Sequence, residues 1–207
     1  MCMPNIKFIY FDVGGVLIFD YSGTNKWQEM KRDLGVSAEQ DAIFEQIWQK
    51  HHSRICIDDD VDQIIPEFKR AGINIPANYS MLADFIARFT ANVELHKIAQ
   101  QIATTHQVGL LTNMYPRMLA LIKKQQLIPD INWRAEIDSS IVGHQKPEPA
   151  IFELAEQASQ IPPAQILFID NSIENLNAAQ QRGWQTLLYD PQNPKDSNLE
   201  IKGRLKL

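Results

Sequence analysis

Polar residues that could carry out chemistry follow several apolar runs of this 207-residue chain. The residues at these positions are Asp12 after the run 6–11, Thr112 and Asn113 after 108–111, and Asp170 after 166–169. Lys146 lies in the loop sequence GHQKPEP, just before a helical pattern. The glycines at 14 and 15 permit close backbone approach beside the first carboxylate, whose position at a strand end suits a ligand-binding role. Two carboxylates, a hydroxyl and a lysine at such positions predict one functional site.

Alternating strand and helix patterns place these groups at one edge of a sheet. Short apolar runs predict buried strands at 6–11, 108–111, 166–169 and 186–189, and a less apolar run predicts another at 131–137. Helical patterns separate the strands at 94–105, 116–126, 149–160 and 172–182. This alternation predicts an α/β fold with a parallel sheet and right-handed crossovers. Because ligands of such sheets bind beyond the carboxyl ends of the strands, the polar groups are expected to converge there.

Residues 20–92, which we call the cap segment, follow a different pattern. Their apolar residues recur at helical spacing, with turns near Gly35, residues 58–60 and residues 72–76. We therefore predict an all-helical insertion at 20–92 and a core domain made of residues 1–19 and 93–207. The aromatic side chains of the cap segment are interpreted as its hydrophobic core because their helical spacing accounts for them.

Composition limits the kinds of partner. With 20 basic and 25 acidic residues, the chain has a formal net charge of −5, which argues against binding to nucleic acid or a membrane surface. No apolar run approaches the ~18 residues of a membrane span. Cys2 and Cys56 form neither a disulfide framework nor a zinc-binding spacing and predict free thiols in a reducing compartment. With no recognisable signal peptide, the chain is predicted to be a cytoplasmic monomer or homodimer.

The motifs at these positions resemble those of the haloacid dehalogenase-like (HAD) hydrolase superfamily. Four motifs carry the resemblance in the family's order: FDVGGVL, LLTN, the lysine of HQKPEP, and FIDNSIENLNAA. The cap segment resembles the helical cap that covers the family's active site. The resemblance implies a Rossmann-like, three-layer α/β/α core with an inserted helical cap. Within the superfamily, FDxGG and the lysine segment resemble the small sugar-phosphate phosphatases.

This resemblance implies a phosphatase with Asp12 as its nucleophile, which would form an aspartyl-phosphate intermediate. Mg²⁺ would be bound by Asp12, Asp170 and the backbone carbonyl of Gly14, and would remove the repulsion between a carboxylate and an anionic phosphate ester. Groups expected to bind the substrate's phosphoryl oxygens are Gly15, Thr112, Asn113 and Lys146. Thr112 and Lys146 are counted as catalytic because they would stabilise developing charge. The expected substrate is a small phosphorylated metabolite.

One position departs from the family pattern. Active phosphatases of the family usually carry a second aspartate two residues after the nucleophile, where this chain has Gly14. General acid–base catalysis is typically worth ~10²–10⁴-fold, so the change matters. The first hypothesis is a phosphatase that uses another acid, with His51, His52 and His144 as candidates, or a weakly basic leaving group such as that of a sugar 1-phosphate.

Two further hypotheses accommodate Gly14. A dehalogenase releases halide without a proton, and a catalytically silent protein would bind phosphate or a partner without turnover. A carbon–halogen substrate needs no metal, and the family's dehalogenases tend to lack the aspartate of the fourth motif. The retained Asp170 therefore favours the phosphatase over the dehalogenase.

Overall fold

A computed structural model describes residues 5–57 and 59–207, so the predictions that involve Cys2 and Asp58 lie outside the described residues. The strands in these ranges are β1 (Phe8–Phe11), β2 (Ile18–Phe19), β3 (Thr90–Ala91), β4 (Gln107–Thr112), β5 (Ala135–Asp138), β6 (Ile166–Asp170) and β7 (Gln185–Leu188). The α-helices are α1 (Lys26–Asp33), α2 (Ala38–Ile55), α3 (Ile65–Arg70), α4 (Met81–Ala87), α5 (Val93–Ile102), α6 (Met118–Lys124), α7 (Ser139–Val142), α8 (Pro149–Ser159), α9 (Ile173–Gln181) and α10 (Pro194–Leu205). Short 3₁₀ helices cover Val61–Ile64 and Pro163–Gln165.

The main sheet is parallel, with the strand order β5-β4-β1-β6-β7 in the described part of the chain. β1 is central, and Phe11 at its carboxyl end aligns with Leu110 of β4 and Ile169 of β6. The polar residues that follow these three strands therefore meet at one edge of the sheet, which confirms the predicted α/β fold. The strand predicted at 131–137 begins only at Ala135, because the chain turns just before it and the Trp133 N–H donates to the carbonyl of Ile131.

Side chains of β1 alternate between two hydrophobic clusters, so the sheet is buried on both faces. Ile9 and Phe11 pack in one cluster with residues of α5, α6 and α10. Phe8 and Tyr10 pack in the other with residues of α8 and α9. The core therefore has the three-layer α/β/α arrangement that the resemblance implied.

The cap segment contains α1 to α4, and the chain leaves and re-enters the core beside a short antiparallel ribbon of β2 and β3. The Asn92 N–H donates to the Leu17 carbonyl at 3.0 Å, which joins the two crossing segments. β3 lies inside the region predicted to be wholly helical, because these two residues pair with β2 where the chain returns. The division into a core domain and a cap domain stays a prediction. No helix in the described ranges is long and apolar enough to cross a membrane.

Candidate active site

Asp12 directly follows the central strand and is nearly buried, with 8% of its surface exposed. Its N–H donates to the Ile169 carbonyl at 2.9 Å, which extends the β1–β6 pairing by one residue. Its Oδ1 accepts a 2.7 Å hydrogen bond from the Val13 N–H. The following turn requires Gly15, which has a φ of 72° and where a Cβ atom would overlap the side chain of Asn171. The local sequence therefore fixes both the carboxylate and the close-lying backbone beside it.

Lys146 brings the two predicted carboxylates together. Its Nζ lies 3.0 Å from Asp12 Oδ1 and 2.7 Å from Asp170 Oδ2, and the lysine side chain is almost completely buried. Asp170 ends β6, where its Oδ1 accepts a 2.7 Å bond from the Ser172 N–H, and Asn175 Nδ2 donates to its Oδ2 at 3.1 Å. Asp12, Lys146 and Asp170, which are far apart in the sequence, thus meet in one buried cluster.

The charges in this cluster perturb one another. Burial raises the pKa of the Asp12 carboxyl, attraction to Lys146 opposes this, and repulsion from Asp170 adds to it, with a net rise to about 7. Burial alone would lower the pKa of Lys146, but attraction to both carboxylates outweighs burial and raises this pKa. The lysine therefore stays charged, and any added cation near Asp12 would favour the ionised carboxylate.

Thr112 and Asn113, at the end of β4, have different environments. The Thr112 hydroxyl is completely buried and lacks a hydrogen-bond partner among the described residues, although it lies near enough to Asp12 to lower that carboxyl's pKa. Such a buried, unpaired hydroxyl is uncommon and points to a ligand that completes its bonding. The Asn113 amide instead donates to the Lys146 carbonyl at 2.9 Å and accepts from the Lys146 N–H at 2.8 Å. Asn113 therefore positions the lysine loop, and its predicted contact with substrate stays a prediction.

The donor set at this edge fits Mg²⁺. Among residues 5–57 and 59–207, no group of three or more His, Cys, Asp and Glu side chains is arranged to hold a metal. A cation would therefore depend on Asp12 and Asp170, with the Gly14 carbonyl and water, and Mg²⁺ is commonly bound through one or two carboxylates with several waters. The two carboxylates also outweigh the single lysine, so the cluster would repel an anionic ester. A bound divalent cation would make the net charge of the cluster positive, so that it would attract the ester.

A cavity of about 270 Å³ opens between this site and the cap segment. On the core side it is lined by Gly14, Ile18, Asn113 and Met114, and on the cap side by Tyr21, Trp27, Trp48, Phe85 and Phe89. The cap aromatics were interpreted as core residues, and Phe44 and Phe68 are indeed buried and stacked 4.2 Å apart. The cavity-lining aromatics share the same helical spacing, because periodicity identifies an inward face without distinguishing a packed core from a cavity wall.

Asp20 is a cavity residue that sequence reasoning did not select. It follows β2 directly, and its carboxylate lies beside Gly14 in a cavity whose other walls are mainly apolar. Burial raises the pKa of this carboxyl, and a hydrogen bond from Ser22 opposes the rise. A signal was available, since a second acid ends the apolar run that follows the first motif. His51 and His144, proposed as acids, instead pair with Glu67 and Glu148, and neither lines the cavity.

The parallel sheet, with polar groups converging at its carboxyl edge, is an α/β fold of the kind that binds ligands at that edge. The sequence profile of the haloacid dehalogenase-like hydrolases matches residues 6–183. The chain therefore belongs to this family and is a hydrolase.

Individual relatives are more distant. D-ribitol-5-phosphate phosphatase from Bacteroides thetaiotaomicron is 32% identical over 60 residues, which make up 29% of this chain and 28% of that protein. The match thus covers less than a third of the relative's length.

Solved structures reproduce the fold over most of the chain. A HAD family enzyme from Bacteroides thetaiotaomicron aligns with a TM-score of 0.74 and 18% identity, covering 89% of this chain and 94% of that one. Its complex with magnesium and inorganic phosphate gives a TM-score of 0.69 at 20% identity, with the same coverage. L-2-haloacid dehalogenase from Xanthobacter autotrophicus, with chloropropionic acid covalently bound, gives 0.60 at 19% identity, covering 88% of this chain and 77% of that one. At these identities the likeness establishes the fold alone.

Proposed function

We propose that this protein is a Mg²⁺-dependent phosphatase that hydrolyses small phosphate monoesters through an aspartyl phosphate on Asp12. The observation that carries this proposal is the position of Lys146 Nζ, 3.0 Å from Asp12 and 2.7 Å from Asp170. The carboxylates of Asp12, after β1, and Asp170, at the end of β6, thus lie on either side of a positively charged group. The buried Thr112 hydroxyl without a protein partner supports a ligand with acceptor oxygens beside them.

The reaction follows from the chemistry of these side chains. A carboxylate oxygen of Asp12 attacks phosphorus while the bond from phosphorus to the leaving oxygen breaks, which gives an aspartyl phosphate and an alkoxide that takes up a proton to become the alcohol. Water then gives up a proton and attacks the same phosphorus atom, and the bond to Asp12 breaks to release inorganic phosphate. Bound Mg²⁺ would polarise the phosphoryl group and screen its charge from the carboxylates.

The remaining groups hold the phosphoryl oxygens. Lys146 is buried and charged, and it can donate to an oxygen that becomes more negative during the reaction. The Thr112 hydroxyl gains a partner when an oxygen binds beside it. The backbone N–H groups near Gly15 can also donate to these oxygens. Asn113 contributes by holding the lysine loop in place.

The proposed substrates are small sugar or polyol phosphates. The cavity of about 270 Å³ limits the leaving group to a small molecule, and its aromatic walls offer flat apolar surfaces for the C–H faces of a sugar or polyol. The relative named as a D-ribitol-5-phosphate phosphatase supports a polyol phosphate. Sugar 1-phosphates are the second possibility, because their leaving oxygen is weakly basic and depends less on an acid. The leaving oxygen is anomeric in a sugar 1-phosphate and belongs to an ordinary alcohol in a polyol phosphate, so one substrate panel separates the two classes.

The test is release of inorganic phosphate from a panel of sugar 1-phosphates, primary sugar phosphates and polyol phosphates. Each is assayed with Mg²⁺, with a chelator, and with Mg²⁺ restored. We expect turnover that the chelator removes and Mg²⁺ restores. Chloride release from a 2-chloroalkanoic acid that is indifferent to the chelator would instead establish the dehalogenase. A failure to turn over any ester, with inorganic phosphate still bound, would establish the silent phosphate-binding protein.

A further inference from the structure

One carboxylate oxygen of Asp20 lies in the space beside Gly14 that a side chain at residue 14 would need. A Cβ atom built on Gly14 would lie 2.5 Å from Asp20 Oδ2, and Asp20 Cγ would be 3.4 Å away. A side chain at residue 14 and the Asp20 carboxylate would therefore compete for the same space. The backbone of Gly14 does not have a positive φ, so the position is open to other residues on conformational grounds. An acid from a neighbouring segment thus occupies the space that Gly14 leaves.

The structure holds Asp20 in one orientation. Its Oδ1 accepts a 2.9 Å hydrogen bond from the Ser22 N–H. Lys26 Nζ donates to the Phe19 carbonyl at 2.7 Å, which ties α1 to the strand β2 that directly precedes Asp20. The Ser22 side chain also hydrogen-bonds to the Asp20 carboxylate. The carboxylate is therefore anchored to the turn by Ser22 and lies at the wall of the cavity.

We propose that Asp20 is the general acid and base of the reaction, replacing the aspartate that the family usually carries at residue 14. This role rests on the proposed phosphatase function. In the first step the protonated Asp20 gives its proton to the leaving oxygen as the bond between that oxygen and phosphorus breaks. In the second step the Asp20 carboxylate takes a proton from the attacking water as the new bond to phosphorus forms and Asp12 is released. Asp20 ends the cycle protonated, as it began.

The proposal changes the expected substrate range. Without an acid, the enzyme would be restricted to esters whose leaving oxygen is weakly basic. With Asp20 beside Gly14, an aliphatic alcohol can also leave, because it departs as the neutral alcohol. Polyol phosphates and primary sugar phosphates can then be hydrolysed as well as sugar 1-phosphates.

The test compares two substrates in wild type and in Asp20→Asn, which keeps the size of the side chain and an oxygen for the Ser22 N–H. One substrate is the aliphatic monoester that wild type hydrolyses fastest, and the other is p-nitrophenyl phosphate, whose leaving group needs little protonation. We expect kcat/KM to fall by ~10²–10⁴-fold for the aliphatic ester and by about tenfold or less for the nitrophenyl ester. Mass spectrometry should also detect aspartyl phosphate accumulating on Asp12 in Asp20→Asn with the nitrophenyl ester, since the second step has lost its base.

A matched control is available in Asp190→Asn. Asp190 Oδ1 accepts a 2.8 Å bond from the Gln192 N–H, in the same type of turn as Asp20, but Asp190 does not line the cavity. Asp190→Asn should leave the ratio of kcat/KM for the aliphatic ester to kcat/KM for the nitrophenyl ester unchanged. Equal losses on both substrates in Asp20→Asn, or the same change of ratio in Asp190→Asn, would overturn the proposal.

A relocation experiment tests the position of the acid directly. Asp20→Gly removes the carboxylate, and adding Gly14→Asp returns one to the usual family position without a collision between the two side chains. The double variant should recover turnover of the aliphatic ester relative to Asp20→Gly alone. No recovery in a folded double variant would count against the proposal. Absence of phosphatase activity in wild type would instead refute the proposed function, so the two failures are distinguishable.

Discussion

The side-chain amide of Asn113 binds the backbone of Lys146 in both directions. It donates to the Lys146 carbonyl at 2.9 Å and accepts from the Lys146 N–H at 2.8 Å. Because β4 carries Asn113 at its end, this pair of bonds fixes the lysine loop to the central part of the sheet. The position of the lysine ammonium between two carboxylates thus depends on an amide that was predicted to bind substrate.

Asn113→Ala should release this loop and displace the Lys146 ammonium. Since a misplacement of about 1 Å can cost as much as 10²-fold in rate, we expect kcat to fall by roughly tenfold to a hundredfold. Loss of two hydrogen bonds should lower the free energy of unfolding by about 1–3 kcal/mol. Steady-state kinetics and urea unfolding measure these effects. Asn132→Ala, at an exposed position, is the control, and equal kinetics in the two variants would refute the positioning role.

Thr112→Val should have opposite effects on stability and on phosphate binding. A buried hydroxyl without a partner costs about 1–3 kcal/mol, so replacing it with a methyl group should leave the free energy of unfolding unchanged or raise it by about 1 kcal/mol. The inhibition constant of inorganic phosphate should rise, because one donor is lost. Thr186→Val is the control. The Thr186 hydroxyl, on β7, accepts a hydrogen bond from the Gln180 side chain of α9. Unchanged phosphate inhibition in Thr112→Val would contradict a role in phosphate binding.

Gly15→Ala should impair both folding and catalysis. Gly15 has a φ of 72°, and a Cβ atom there would overlap the Asn171 side chain. Gly72→Ala is a suitable comparison because Gly72 has a φ of 80° with open space around it. Both substitutions should cost about 1–2 kcal/mol from the left-handed backbone, measured by urea unfolding. Only Gly15→Ala should cost more than this and lower kcat; a similar loss of kcat in Gly72→Ala would mean that backbone strain alone accounts for the effect.

The sequence could predict those site residues whose place depends on strand ends. Asp12, Thr112 and Asp170 each end a short apolar run, and parallel strands bring such ends to one edge whatever the details of packing. Lys146 could be included because its loop precedes a helix in the same alternation. The core fold follows from the same pattern, apart from the late start of β5 at Ala135.

Asp20 also ends an apolar run, but its place beside Gly14 could not be found in this way. That place depends on a ribbon of β2 and β3 that brings the residue after β2 back against Gly14, and two-residue strands leave no periodic signal. The same applies to Trp27 and Trp48, whose helical spacing is that of core residues although they line the cavity. The positions of Asp20 and of the cavity-lining aromatic residues therefore depend on tertiary contacts, which the sequence pattern does not reveal.

The central claim is that Asp12 captures the phosphoryl group. The most direct measurement is mass spectrometry of acid-quenched protein during turnover with Mg²⁺, compared between wild type and Asp12→Asn. We expect phosphate attached to Asp12 in wild type, and neither attached phosphate nor turnover in Asp12→Asn, with unfolding curves confirming that the variant is folded. Phosphate on a different residue, or retained turnover in a clean preparation of Asp12→Asn, would contradict the claim.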